Sequence, residues 1–360
     1  MDVVVSLIGH VLLGIVAIGG MFLLLIAPHE AGHMLAAQLT KIRVYEFAIG
    51  FGPKVLSAKR GDTQYSLRLF PIGGYVRMAG QEPGDYDAPG AFNKRPAWAR
   101  LVTLLAGPAA NLVVAMIVVM IVGFTALNSD PGKIATVTPG SPAATAGLTA
   151  NDSIRTVNGK PVQTGGEIHN LEQKNPSAPL VLQVQRPDGS AFKTTLHPQY
   201  VKAQKAYLIG ISVQSLVTPL DAVRAGVEFP WTATIAIVTS IAMVISGAIP
   251  GGLLGPNGVG GPLATGDFAY QAAAAGFPTW LTLAALLSVS VAIFNLLPVP
   301  ALDGGRILVV LLEKLRGAPF DPNREAAIQR VGFIAVLALV LLVALFDVQR
   351  IASGQFPQLR

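Results

Sequence analysis

The chain has 360 residues, of which 52% are hydrophobic and only 13% charged, with a mean hydropathy of +0.55; these values exclude an ordinary soluble globular protein and point to a membrane protein. The absence of cysteine rules out a disulfide framework, a cysteine nucleophile and thiolate metal ligands, so any metal must be held by histidine and carboxylate. The net charge of +6 is spread between apolar spans rather than gathered in one tract, and membrane topology accounts for it without nucleic acid.

Met1 to Ala27 is apolar apart from Asp2 and His10 and predicts a retained transmembrane helix. An acidic first stretch and the lack of a small-residue cleavage site argue against a removed signal. The segment runs directly into His29-Glu30-Ala31-Gly32-His33. Positions four apart share a helix face, so His29 and His33 can aim at one ion, and Glu30 lies where its carboxylate can reach a water on that ion. Two histidines and a glutamate on a membrane helix are costly to bury without a purpose, whereas a lone histidine such as His10 reads as packing. Pro28 is expected at a first turn or kink that leaves both histidines on one face.

Residues 41–100 carry ten Lys and Arg and read as a cytoplasmic loop. Within it, Lys54 to Ala58 and Thr63 to Phe70 flank Lys59-Arg60-Gly61-Asp62 like a hairpin, and Gly73-Gly74 leads into a further extended stretch, Tyr75 to Met78. Such a sheet is either ordinary cytoplasmic structure or an edge for a substrate strand. A second span covers 101–127. Residues 128–200 differ in kind: short strands at Ile134–Val137, Ser153–Val157, Leu180–Gln185 and Phe192–Leu196 alternate with helices at Ala143–Gly147 and Gly166–Gln173. They predict a compact inserted domain outside the cytoplasm.

The remaining chain is expected as an interfacial helix and Gly/Pro-rich loop over 201–280, a third span with a carboxylate over 281–305, a cytoplasmic loop over 306–330, a fourth span over 331–347 and a tail over 348–360. Trp231 to Ile249 is apolar enough to cross, but Thr232, Thr239 and Ser246 make a polar stripe suited to the interface. Pro250 to Gly266 is read as loop. A catalytic zinc site needs a third protein ligand. Asp303, just past the third span, is the best-placed acid, provided that the first and third spans run in the same direction; a full crossing by 231–249 would spoil that parity. Pro298 and Pro300 prevent a regular helix before Asp303 and free it to turn inward. Asn295 has the hydrogen-bonding character to hold an unwound substrate.

At this point the chain resembles the bacterial site-2 protease family of intramembrane zinc metalloproteases. The motifs are His29-Glu30-Ala31-Gly32-His33, Gly107-Pro108-Ala109-Ala110-Asn111 and Asn295-Leu296-Leu297-Pro298-Val299-Pro300-Ala301-Leu302-Asp303-Gly304. The resemblance implies one zinc ion per chain on His29, His33 and Asp303, Glu30 as general base, Asn295 near the substrate backbone, and Gly107, Pro108 and Asn111 as a structural motif. It implies a polytopic α-helical protein with four transmembrane helices, a membrane-associated β-sheet and one inserted α+β PDZ domain. Gly140, Ser141, Ala146, Gly147 and Leu148 match the PDZ pattern, with Asn151 where glycine is usual. The sheet, entered through Gly73 and Gly74, is where the family takes up substrate as an added strand. The implied partners are membrane lipid and single-span membrane proteins, such as anti-sigma factors or remnant signal peptides, already trimmed outside by a site-1 protease. The implied location is the bacterial inner membrane, with both termini outside and the active site toward the cytoplasm. A non-catalytic PDZ scaffold is the competing reading, and intact zinc ligands oppose it. A zinc transporter would need ionisable residues along its spans, and these are nearly empty of them.

Overall fold

The computed structural model describes residues 2–82, 84–174, 177–248 and 260–353. Two compact units divide the chain: Met1–Val122 with Arg224–Arg360, and Gly123–Val223.

The first unit is built on α1 (Asp2–Leu39), which continues through Pro28 without breaking. Its outer face exposes Leu12, Ile15 and Val16, as a lipid-facing helix must. Strands β1 (Val44–Arg60) and β2 (Thr63–Met78) are longer than the hairpin expected from the sequence, because each bends back and pairs twice. Residues 44–49 therefore lie between residues 74–78 and residues 64–67, while 54–60 pair with 63–68. The first bend falls at Gly50 and Gly52, both at positive φ (90° and 85°), where glycine avoids the steric penalty of a side chain.

Glu46 locks this sheet. Its Oε1 accepts from Ser66 Oγ at 2.7 Å and Arg68 Nη2 at 2.8 Å, with Lys54 Nζ at 3.6 Å. Burial opposes the charge, yet hydrogen bonds from Arg68, Ser66 and Tyr75 outweigh it and hold the carboxyl down at about 2.

Helix α2 (Ala97–Thr125) crosses α1 at the histidine motif, where a Cβ on Gly32 would stand 2.3 Å from Ala106 O. Only small residues allow two backbones so close. Further along the chain come α5 (Pro219–Ile245), α6 (Pro262–Ala275), α7 (Phe277–Leu296), α8 (Asp303–Arg316) and α9 (Pro322–Ala352); α3 and α4 belong to the second unit. Trp280 of α7 donates its indole N–H to Ala17 O of α1 at 3.1 Å, fixing the pair side by side.

Several expectations need correction. Five described helices are long and apolar enough to cross a bilayer, one more than the four spans expected: Gly9–Leu39, Ala97–Thr125, Pro219–Val244, Phe277–Leu296 and Asn323–Ala352. The additional one, α5, was assigned to the interface. It starts twelve residues before Trp231, and Gly226 packs against Met116 and Met120 of α2, so at least its first half lies beside a span. Parity does not depend on it. Gly261, at the start of α6, hydrogen-bonds Asp347, eighteen residues or about 27 Å along α9 from Gln329, which sits beside the Asp303 turn. The chain has thus returned to the far end before α7 begins, and α7 runs toward the metal cluster as α1 does.

Two regions expected as loop are helical. Residues 262–266 of the Gly/Pro-rich stretch open α6, while 249–259 lie outside the described residues. Gly261 gives this helix no side-chain cap; instead Asp347 accepts from the N–H groups of Gly261, Leu263 and Ala264, each at 3.1 Å. The 306–330 region contains α8 and the start of α9, separated at Gly317 (φ 75°), a left-handed C-cap.

The second unit runs from Gly123 to Val223, beyond the 128–200 span read from the sequence. Strands β3 (Ile134–Val137), β4 (Ser153–Val157), β6 (Leu180–Gln185) and β7 (Ala191–Leu196), with α3 (Pro142–Thr145) and α4 (Gly165–Lys174), lie within a few residues of where the pattern put them; the short β5 (Lys160–Pro161) was not foreseen. Past residue 200 come β8 (Gln199–Val201), β9 (Ala206–Leu208) and β10 (Ile211–Val213). Strand β10 pairs with β3, and Ile209 is fully buried with Ile134, Ile154 and Leu182, so the core closes only with this segment. Gly140 and Gly147 adopt positive φ around α3, Ser141 caps that helix by accepting from Ala144 N, Ala146 packs on the core and Leu148 is inside it.

Candidate metal centre

Three segments far apart in the chain converge on one point. His29 Nε2 and His33 Nε2 are 3.1 Å apart, and each lies 3.2 Å from Asp303 Oδ2. Three ligands about 2.0–2.1 Å from one zinc ion in a tetrahedral site stand about 3.3 Å from one another, so this triangle fits that ion. Both histidines are buried, and Asp303 Oδ2 is a buried oxygen without a hydrogen-bond partner despite its two close neighbours. Two imidazole nitrogens and a carboxylate oxygen converging this closely are the donor set a divalent cation satisfies. Among the described residues this is the group of His and acidic side chains able to hold a metal.

Each ligand is held by groups behind it. His33 Nδ1 donates to Thr103 O at 2.8 Å, which leaves the lone pair on Nε2. His29 Nδ1 lies 3.4 Å from Asn111 Nδ2, and Asn111 O accepts from Ser288 Oγ at 2.9 Å, tying α2 to α7. Gly107 leaves the space His33 fills: a Cβ there would stand 2.3 Å from His33 Nε2. Pro108 is buried one residue on. Asp303 opens α8 after the irregular stretch 297–302, where Ala301 takes a positive φ of 78°, strained for a residue other than glycine. Gln329 Oε1 of α9 accepts from Ala301 N and secures that turn.

Glu30 lies beside the cluster against β2. The Val76 backbone N–H lies near its carboxylate, and a Cβ on Gly74 would stand 3.0 Å from Glu30 Cγ. Gly73 carries the Phe51 ring across its face, with a built Cβ 2.0 Å from that ring. No described strand pairs with the outer edge of residues 74–78. Asn295 does not join the cluster: its amide donates to Val291 O, one turn back on α7, at 3.0 Å. Thr103, Ser288, Val76 and Gln329 were not singled out from the sequence. Thr103 and Val76 act through backbone atoms, which carry no residue signature; Gln329, a polar side chain at the start of an apolar helix, was a usable sign.

The model of peptidase family M50 matches residues 17–339. The chain belongs to this family, the site-2 proteases. It is 28% identical to the regulator of sigma-W protease RasP of Bacillus subtilis, over 90% of this chain and 95% of that one. It is 30% identical to the zinc metalloprotease RasP of Geobacillus kaustophilus, over 89% and 94%. A candidate zinc metalloprotease of Clostridium acetobutylicum is 34% identical over 94% and 97%. This M50 protein is a membrane protein and a metalloprotease.

Proposed function

We propose that the protein hydrolyses peptide bonds within membrane-spanning substrates, with zinc held by His29, His33 and Asp303 and with Glu30 as general base. The observation that supports this best is the convergence of three ligand atoms at 3.1–3.2 Å beside Glu30, at the end of an apolar helix. Zinc, when bound, supplies Lewis acidity toward water and toward a peptide carbonyl oxygen. Glu30 takes the proton from the attacking water and passes it to the amine nitrogen as the C–N bond breaks. Gly73 and Gly74 keep the edge of β2 bare beside Glu30, so a substrate segment unwound from its helix can pair there and present a carbonyl. Asn295 exchanges its bond to Val291 for the substrate backbone. Gly107, Pro108 and Asn111 shape the wall behind the histidines.

Exposed Phe51, Leu56, Leu69 and Phe70 make the far part of the sheet suited to the membrane surface. We read the Gly123–Val223 unit as a PDZ domain. A cavity of about 250 Å³ borders Gly140 and Ser141 and is of a size for a peptide end. The substrates we assign are single-span proteins already cut outside by another protease. The protein would sit in the inner membrane with the metal site toward the cytoplasm, and α5 decides whether four or five helices cross.

Glu30→Gln is expected to retain one zinc per chain and to lose cleavage of a single-span reporter in proteoliposomes. Undiminished cleavage by that variant would overturn the mechanism.

A further inference from the structure

The 3-10 turn Phe92–Lys94, α8 and the first turns of α2 and α9 enclose a cavity of about 470 Å³ separate from the metal cluster. Most charges on its wall are already answered. Arg100 Nη2 meets Glu313 Oε2 at 2.6 Å, Glu313 Oε1 accepts from Phe320 N at 2.8 Å, and Lys94 pairs with Asp87 at 2.9 Å. Arg306 and Glu325 also line the cavity, yet among the described residues neither side chain makes an ion pair or a hydrogen bond. Three polar atoms on the wall are buried without a partner: Asn93 Oδ1, Arg100 Nε and Gln329 Nε2.

Buried atoms left unpaired, as Asn93 Oδ1, Arg100 Nε and Gln329 Nε2 are, cost about 1–3 kcal/mol each, and together with the half-buried Arg306 and Glu325 they call for a complement. Three of the five are donors that suit an oxyanion: Arg306, Arg100 Nε and Gln329 Nε2. The other two, Glu325 and Asn93 Oδ1, are acceptors that suit an ammonium group. Arg306 and Glu325 act on each other through space without forming an ion pair, so a ligand of one sign would satisfy one and repel the other, and the complement that inserts between them is a zwitterion.

The depth of the cavity says which zwitterion. Arg100 and Glu325 lie in the first turns of two helices that are apolar enough to cross the bilayer. Close beside them, Trp98, Val102, Ile328 and Val331 are exposed (63%, 47%, 52% and 68%), as side chains beside acyl chains are. The polar cavity is therefore at the level of lipid headgroups.

We propose that this cavity binds the headgroup of a zwitterionic aminophospholipid, with the phosphate on Arg306, Arg100 Nε and Gln329 and the ammonium on Glu325 and Asn93. Occupancy would also steady the metal turn, since Gln329 holds Ala301 and Arg306 shares α8 with Asp303. That consequence rests on the protease reading above; the binding itself does not.

The test uses the full chain in nanodiscs of equal parts phosphatidylethanolamine, phosphatidylcholine and phosphatidylglycerol, followed by native mass spectrometry of the lipid retained on delipidation. The expected result is one phosphatidylethanolamine per chain, held more than tenfold over the other two. Arg306→Gln removes the phosphate contact. Gln329→Glu keeps the acceptor for Ala301 but turns a carboxylate into the cavity. Each is expected to lower the preference about tenfold, equivalent to about 1.4 kcal/mol. Equal retention of phosphatidylglycerol would reduce the cavity to a cation patch and overturn the proposal. So would equal retention of phosphatidylcholine, whose headgroup has no ammonium hydrogen to donate, or a preference that survives both variants. Soluble O-phosphoethanolamine at millimolar concentration is expected to leave the lipid in place; displacement would assign the cavity to a free metabolite instead.

Discussion

A methyl carbon placed on Gly107 would stand 2.3 Å from Nε2 of His33, so the second motif of the chain is the space in which the first motif keeps its ligand. Gly107→Ala forces the imidazole off the position it shares with His29 and Asp303. Zinc affinity is expected to fall at least tenfold, within the range seen when groups around a metal are disturbed. Competition with a fluorescent chelator measures it, and unchanged affinity would contradict the proposed ligand set.

Asn111 is placed to set the proton on His29. Ligation through Nε2 requires Nδ1 to carry its hydrogen, and the buried, unpartnered Oδ1 of Asn111 can accept it once the amide is turned by 180°. Asn111→Asp, an acceptor at either oxygen, is expected to bind zinc at least as tightly as the parent. Asn111→Leu is expected to bind about 10–100-fold more weakly. The reverse order in isothermal titration would mean that the amide nitrogen faces the ring.

Gly74→Val adds side-chain atoms against Ile26, Ala48 O and Glu30, but touches no ligand. Zinc content should therefore stay at one per chain, while kcat for a single-span reporter drops about a hundredfold, because a small displacement of a general base has a large kinetic effect. Loss of zinc in this variant would show that the edge strand supports the ligands rather than the base.

The Glu46 carboxyl is held at about 2 against an unperturbed 4.5. A depressed carboxylate stabilises the fold above its unfolded pKa and loses that contribution as pH falls through the folded value. Allowing for solvent around Lys54, the contribution at neutral pH is about 1–2 kcal/mol. Amide exchange over residues 44–78 in the parent and in Glu46→Gln should differ at pH 7 and converge as pH falls from 4.5 toward 2. A difference that stays constant down to pH 3 would remove Glu46 from its place as the lock of the sheet.

Much of this arrangement was legible in the sequence. The four-residue spacing of His29 and His33 survives because α1 runs through Pro28, and the prolines before Asp303 do break the helix, between Leu296 and Asp303. Alternating polarity located β3, β4, β6 and β7 of the Gly123–Val223 unit almost to the residue, but not the short strands β5, β8, β9 and β10. Loops were less legible, since helix α6 gets its cap from Asp347 more than eighty residues away, and α5 gets its place from packing on α2. Neither effect leaves a local trace.

The sequence by itself determined the side chains on which the proposed chemistry rests: His29, Glu30, His33 and Asp303 in a cysteine-free, apolar chain. Tertiary structure alone decided that Asp303 reaches both imidazoles, that Thr103 O orients His33, that Val76 N–H meets Glu30, and that Gln329 secures the strained turn at Ala301. The physical reason is that ligand type is a property of a side chain, whereas ligand geometry is set by backbone atoms and distant contacts, which become neighbours only once the helices have packed.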